Sequence, residues 1–124
     1  SATWWIERSE TGMDFDLTKE INTQLLSDLR KVKEYELVVI DTPPALHSEV
    51  FQTVIQSSDY LVLPTPPAPM DLTALIETVQ SAVMPLKIPY RVLLTKVDSR
   101  SLKETLEAQN TLLELGIPAC HAFI

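Results

Sequence analysis

Apolar residues recur at two different spacings along this chain, and the wider spacing predicts helices. Between residues 18 and 33, leucine, isoleucine and valine recur every three or four positions, and Thr18 is placed to cap the amino end of the predicted helix. The same pattern predicts a helix over residues 46–55, and another that begins at Asp71 as its amino cap and is closed by Pro85.

A last amphipathic helix is predicted from the leucines that follow residue 101. Ser101 and Glu104 have the spacing of a capping box, in which each residue satisfies a free backbone amide of the other. Gly116 is suited to end this helix, because glycine adopts the left-handed conformation that often follows a helix.

Short apolar runs without the helical spacing alternate with these helices and predict strands. They cover residues 37–40, 60–63 and 90–94, and a fourth begins near Ile117. The first run is β-branched and unalternating, as expected where helices cover both faces of a sheet. Strands that alternate with helices build a parallel sheet, so the sequence predicts an α/β fold with flanking helices.

Composition narrows the classes of function. The 124 residues, 45% of them apolar, suit one compact domain. A net charge of −7 argues against nucleic acid as the default partner of this piece. Cys120 has no second cysteine with which to form a disulfide, and the apolar runs are too short to cross a bilayer. We therefore expect a cytoplasmic protein with no membrane partner.

Polar side chains follow the predicted strands at the edge where parallel sheets bind ligands. Asp41 comes directly after an apolar run, followed by the stiff turn Thr42-Pro43-Pro44, while Thr65 and Thr95-Lys96-Val97-Asp98 follow the next two strands. A carboxylate in the position of Asp41 can orient a water molecule on Mg²⁺ bound to nucleotide phosphates. The alternative for Asp41 is a side chain that only caps the next turn.

Several segments also resemble a known family. Residues 35–44, Tyr-Glu-Leu-Val-Val-Ile-Asp-Thr-Pro-Pro, resemble the Walker B or switch II segment of the ParA/MinD group of deviant P-loop ATPases. Residues 58–72, 91–98 and 115–118 resemble later segments of that group in the right order, and residues 1–5 resemble the stretch after its switch I motif. The resemblance implies an incomplete P-loop NTPase-like fold, with residues 1–124 as a single partial nucleotide-binding domain.

The resemblance also implies a site, ligands and partners. It makes Asp41 a magnesium residue, and it assigns nucleotide binding to Thr42, Pro43, Pro44, Thr95 and Lys96. The implied cofactors are ATP and Mg²⁺. The implied partners of the intact protein are a second copy in a homodimer, a ParB-like partition protein and nonspecific DNA, and the implied role is plasmid or chromosome partition.

The chain departs from that family in the part that would hold phosphates. A phosphate-binding loop needs several glycines beside a lysine, and the glycines here, Gly12 and Gly116, have no such neighbours. The loop and the switch I motif are expected before Ser1. The intact family protein would be an ATPase, whereas this chain alone is not expected to hydrolyse ATP.

Three alternatives stay open on the sequence. Thr95-Lys96-Val97-Asp98 is similar to the base-reading motif of signal-recognition GTPases, which would favour guanine through Asp98, or it is an exposed turn before a helix. Asp41, Thr65 and Lys96 imitate the order of residues in a receiver domain that accepts a phosphoryl group on aspartate. Finally, the chain could be a ParA-like interaction scaffold that binds no nucleotide.

Overall fold

The computed structural model describes residues 15–18, 22–42 and 49–124. In chain order its elements are helix α1 (Thr23–Asp28) with a 3₁₀ turn (Leu29–Lys31), helix α2 (Glu49–Ser57), strand β1 (Leu61–Thr65), helix α3 (Pro69–Thr78), strand β2 (Tyr90–Leu94) and helix α4 (Leu102–Glu114). Helix α3 continues through a π-helical turn (Val79–Val83) and a 3₁₀ turn (Met84–Leu86).

The two strands are neighbours and run parallel. Leu61 lies opposite Tyr90 and Thr65 lies opposite Leu94. Because parallel neighbours need a crossover connection, the chain leaves the sheet after β1 and returns through α3. The predicted α/β class, a parallel sheet with flanking helices, is confirmed.

The segment after Ile117 runs beside β2 in the same direction, where the sequence predicts a fourth strand. The Val92 amide donates to the Pro118 carbonyl (2.9 Å), and the Cys120 amide donates to the Val92 carbonyl (2.8 Å). The next bond to β2 comes from the Ile124 amide to the Leu94 carbonyl (3.0 Å). A regular ladder would bond residue 122 there, so residues 121–123 bulge and interrupt the strand.

The core lies on one face of the sheet. Alternate residues of both strands point to this face and meet two clusters of buried side chains. One cluster joins α3, β2, α4 and the segment after it, through Leu72, Val79, Val92, Leu94, Ala108, Leu112 and Ile117. The other joins α2 to the end of the α3 connection, through Phe51, Ile55 and Val83.

The opposite face of the sheet is open in the part of the chain that the structure describes. There Val62 is 55% exposed and Arg91 is exposed as well. The expectation that helices cover both faces is therefore not met within the described residues, because α2, α3 and α4 all contribute to the clusters on the first face.

Helix α4 ends as the sequence predicts. Gly116 has a φ of 71°, in the left-handed region, and its amide donates to the Leu113 carbonyl (3.0 Å). The Ile117 amide donates to the Leu112 carbonyl (2.9 Å), and both of those side chains are buried. This pair of bonds with its apolar contact is a Schellman motif, which fixes the direction in which the chain leaves the helix.

Helices α1 and α3 begin at other residues than predicted. Helix α1 starts after Asn22, whose side-chain oxygen accepts from the Leu25 amide (2.6 Å), so Asn22 and not Thr18 is the cap. Helix α3 starts after Ala68 with Pro69 in its first turn, which places Asp71 inside that turn and not at the cap. Proline favours this start, since its φ is already helical and it lacks the amide that would have no partner.

The predicted strand over residues 37–40 is wrong for the described structure. Leu37 and Val39 are 80% and 83% exposed, and the segment has no strand assignment. No backbone hydrogen bond within the described residues joins this segment to β1 or β2. A strand exists only as a member of a ladder, so apolar and β-branched composition alone did not form one here.

The helices of the described residues are also informative about membranes. None of them combines the length and the apolar character that a membrane-spanning helix requires.

Candidate functional site

The carboxyl ends of β1 and β2 meet at one edge and bring three of the predicted site residues together. Thr65 is the last residue of β1, and the Thr95 amide donates to its carbonyl (2.9 Å), which extends the pairing one residue past β2. Lys96 follows directly. The sequence therefore placed Thr65, Thr95 and Lys96 correctly as neighbours at this edge.

The three side chains differ in what they offer a ligand. Thr65 is 5% exposed and its hydroxyl donates to the Pro66 carbonyl (3.1 Å), so it supports the loop after β1. Thr95 is half-buried, while Lys96 is exposed and takes part in none of the ion pairs within the described residues. Of the three, Lys96 is the group best placed to meet an anion.

The backbone at Lys96 is unusual. Its φ is 57°, in the left-handed region, which costs a non-glycine residue about 1–2 kcal/mol. Such conformations cluster at ligand sites, where the surrounding structure holds them in place. The Val97 amide, which donates to the Ile124 carbonyl (3.0 Å), is part of that support.

The loop between Lys96 and α4 is organised by Asp98. Its carboxylate accepts from the amides of Arg100 (2.7 Å) and Ser101 (2.9 Å), and the Asp98 amide donates to the Ser101 hydroxyl (3.0 Å). These bonds favour the turn interpretation of Asp98 over guanine recognition. They also explain why Ser101 caps α4 without a side-chain bond to the helix, contrary to the predicted capping box: its hydroxyl is engaged by Asp98.

Two helices begin at this edge, because α3 follows β1 and α4 follows β2. The amino ends of helices carry free amides and partial positive charge, which attract anions. The first turns of these helices already hold carboxylates, Asp71 in α3 and Glu104 in α4. The edge is therefore of mixed charge, and Lys96 and Arg100 supply its cationic groups.

Sequence reasoning missed Arg100 at this edge, but the turn that it gave as the alternative for Asp98 is the one that the hydrogen bonds favour. A signal for the loop was present, because an aspartate three residues before a helix-capping serine is typical of a turn that closes on its own amides.

Asp41 and Thr42 lie outside this cluster of residues. Both are exposed, and no hydrogen bond or ion pair within the described residues joins either of them to Thr65, Thr95 or Lys96. The receiver-like arrangement of Asp41, Thr65 and Lys96 is thus not formed there. The reason is that residues 37–40 pair with no strand, so nothing anchors Asp41 to the edge of the sheet.

The remaining site predictions are not resolved by geometry. Pro43 and Pro44 lie outside the described residues. Within the described ranges no three side chains of His, Cys, Asp or Glu are grouped to hold a metal ion, so Asp41 as a magnesium residue stays a prediction.

Comparison with known proteins adds two relatives. The chain is 59% identical over 124 residues to a Gloeobacter kilaueensis protein named "Maintenance of carboxysome distribution protein A", a match that covers all of this chain and 57% of that protein. It is 32% identical over 89 residues to a protein of the same name from Halothiobacillus neapolitanus, covering 68% of this chain and 40% of that protein.

The other comparisons found nothing. No family model matches the chain, and no solved structure matches it. The chain spans about half the length of the curated relatives it matches.

These relatives correct the sequence-based recognition of a plasmid or chromosome partition ATPase. Both are named for the distribution of carboxysomes, and neither name refers to DNA partition. The coarser expectation of a protein that positions a cellular cargo agrees with those names. The recognition as a partition ATPase is wrong, and the chain is similar instead to proteins named for maintaining carboxysome distribution.

Proposed function

We propose that this chain is part of a protein that maintains the distribution of carboxysomes in the cell. The observation that carries the proposal is the 59% identity with the Gloeobacter kilaueensis protein of that name, which extends over every residue of the chain. The second relative, at 32% identity, carries the same name. Two relatives that differ this much in sequence identity to the chain carry the same name, and together they are a stronger basis for the proposal than either match alone.

The proposed ligand is ATP with Mg²⁺, bound partly by the edge described above. Support comes from Lys96, an exposed cation held in a left-handed conformation at the carboxyl end of β2, beside the half-buried Thr95. Mg²⁺ binding by Asp41, and nucleotide contacts from Thr42, Pro43 and Pro44, complete the proposed site. In such a site the lysine ammonium would neutralise phosphate charge and the aspartate would orient a metal-bound water.

The proposed mechanism assigns different tasks to the two parts of this site. Lys96 lies on a loop held by the Asp98 hydrogen bonds and by the Val97–Ile124 bond, so it offers a fixed point of contact. Asp41 lies on a segment with no ladder bonds within the described residues, so it has to be brought to the ligand. Ligand binding that orders this segment would couple nucleotide state to the shape of the protein. The homodimer, the ParB-like partner and nonspecific DNA stay predictions.

A cellular experiment tests the role. The gene that encodes the full-length protein is introduced into a Gloeobacter kilaueensis strain that lacks its own distribution protein, and fluorescently labelled carboxysomes are imaged. We expect the gene to restore their distribution and the Lys96→Ala variant to restore it less well. Carboxysomes that stay as badly distributed as in the deletion strain, with the protein present at normal levels, would contradict the proposed role.

Calorimetry tests the ligand separately. ATP is titrated with and without Mg²⁺ into the full-length protein and into the 124-residue chain. We expect the full-length protein to bind, and Asp41→Ala to weaken the Mg²⁺-dependent part of the affinity by about tenfold, or 1.4 kcal/mol. Glu36→Ala removes another exposed carboxylate of the same segment and is the matched control.

Each outcome of the calorimetry has a distinct meaning. If Asp41→Ala and Glu36→Ala reduce the Mg²⁺-dependent affinity for ATP equally, the effect comes from the loss of any negative charge in this segment. Asp41 is then not part of the site. If the full-length protein binds no ATP while it still restores carboxysome distribution, the nucleotide-free scaffold becomes the correct account.

A further inference from the structure

Helix α4 carries a second apolar face besides the one it buries. Thr105, Ala108 and Leu112 face the core. Leu102, Leu106 and Leu113 are 45%, 50% and 76% exposed. With 3.6 residues per turn, these three leucines lie within about 40° of one another and about a quarter turn from the buried face. We call them, with Gln109 between them, the leucine stripe.

The spacing of the leucine stripe is that of a coiled-coil seam. Leu102, Leu106, Gln109 and Leu113 are separated by four, three and four residues, the steps that keep side chains on one line of contact between two helices. Exposed leucines scattered singly need no explanation, but an ordered stripe on one helix does. The stripe therefore has the form of a surface for another helix.

The charges beside the stripe indicate which helix it fits. Lys103 and Glu114 lie on the same flank of the stripe, near its two ends, and both are exposed. Glu107 lies on that flank between them, and Lys103 is 3.8 Å from its carboxylate. In an antiparallel pair of identical helices related by a two-fold axis, the flank of one helix faces the same flank of the other. Lys103 then lies beside Glu114 of a second copy, and the symmetry repeats this pair.

The apolar positions match in the same arrangement. When the two-fold axis passes between residues 107 and 108, Leu102 faces Leu113 of the second copy, and Leu106 faces Gln109. The pairing buries leucines from both copies. Gln109 lies near the centre, where its side-chain amide donates to the Cys120 carbonyl of its own copy (3.4 Å). A parallel pair would instead place the flank that carries Lys103 and Glu114 against the opposite flank of the second copy, and both ion pairs would be lost.

We propose that the leucine stripe of α4 is a self-association surface, through which two copies of the protein pair antiparallel with Lys103 of each beside Glu114 of the other. The surface lies outside the site formed by Thr95 and Lys96 and goes beyond the proposed function. A helix pair of this length buries less than the roughly 1,200 Å² of a standard stable interface, so the association is weak and becomes visible at high local concentration.

Sedimentation of the full-length protein, without nucleotide and with EDTA, tests the proposal. The conditions exclude association that depends on ATP and Mg²⁺, so this test can fail while the proposed function stands. We expect the average mass to rise with protein concentration. Leu113→Glu should raise the dissociation constant at least tenfold, whereas Thr111→Glu, which adds the same charge on another exposed face of α4, should leave it nearly unchanged.

A charge exchange distinguishes a second copy from any other cover of the stripe. Lys103→Glu and Glu114→Lys should each raise the dissociation constant up to about tenfold, and the double variant should restore it. Within one helix these residues are about 16 Å apart and cannot compensate for each other. A monomer at all concentrations up to about 100 μM, a double variant without recovery, or equal effects of Leu113→Glu and Thr111→Glu would each overturn the proposal.

Discussion

Residues 61–124 and residues 22–42 contain equally good sequence signals, yet they are organised very differently. In the first region β1, β2 and the segment after Ile117 share hydrogen bonds, and Val92 and Leu112 are completely buried. In the second region, α1 buries Leu26, while Leu37 and Val39 are mostly exposed. Arg30 of the second region forms an exposed ion pair with Asp59, which precedes β1 by two residues (2.8 Å).

The difference teaches what a strand requires. Residues 37–40 are more apolar and more β-branched than residues 90–94. Residues 90–94 nevertheless form the strand, because they have β1 on one side, residues 118–124 on the other and a covered face. Hydrogen bonds from both neighbours and burial of alternate side chains supply the stability that composition alone lacks. Four predictions test this comparison, starting with the largest effect.

Amide exchange should separate the two regions most widely. In the 124-residue chain, we expect the amides of Val92 and Cys120, which bond within the sheet, to exchange at least about a thousandfold more slowly than those of residues 37–40. The measurement is exchange followed by NMR. Equal protection in both regions would show that residues 37–40 are part of a ladder and would remove the contrast.

Matched truncations should show the same contrast in stability. Leu112→Ala removes a fully buried side chain of α4 and should lower the free energy of unfolding by about 2–5 kcal/mol. Leu37→Ala removes the same atoms from a side chain that is mostly exposed. It should change the free energy of unfolding by less than about 0.5 kcal/mol. Urea unfolding measures both. A cost for Leu37→Ala close to that of Leu112→Ala would mean that residue 37 is buried in solution.

A substitution at the end of α4 should change the free energy of unfolding less, and its effect should come from the backbone conformation alone. Gly116 has a φ of 71°, and a methyl group added there would meet no atom within 4 Å. Gly116→Ala should therefore cost about 1–2 kcal/mol through its left-handed conformation alone. Gly116→Asn should cost less, since asparagine tolerates this region better. If thermal unfolding shows no difference between alanine and glycine, the helix ends in another conformation.

The smallest effect concerns the pH dependence of α1. A hydrogen bond from Lys31 (2.6 Å), helped by one from Gln24, lowers the pKa of Asp28 below its ordinary value of 3.8. Because the folded pKa lies below the unfolded one, the contribution to stability is present above pH 3.8 and is lost as the pH falls through the folded pKa. It is slight, since the pair is exposed.

Unfolding measured from pH 6 to acid checks this sign. Asp28→Asn should be slightly less stable than the parent at pH 6, and the difference should shrink as the parent carboxylate becomes protonated. Glu36→Gln, which changes a carboxylate without an ion pair in the described residues, is the control. A stability difference that grows toward acid would contradict the lowered pKa.

Much of the candidate site could be predicted from the sequence, but which of its residues the sheet holds at this edge could not. Thr65, Thr95 and Lys96 meet at one edge because each ends or follows a strand that truly pairs. Asp41 follows an equally convincing run that does not pair in the described structure, so it stays apart from them. The carboxylate of Asp98 fitted two roles on the sequence, and its distances to the amides of Arg100 and Ser101 favour the turn.

By itself the sequence determined the features that depend on neighbours along the chain. It placed β2 at residues 90–94, ended α4 at Gly116 and predicted a parallel α/β fold, because periodicity and the φ preference of glycine act locally. Only the tertiary structure decided that residues 37–40 form no strand, that the core lies on one face of the sheet and that three leucines of α4 remain exposed. Those outcomes depend on which surfaces meet, and such contacts join residues far apart in the chain, which local patterns do not specify.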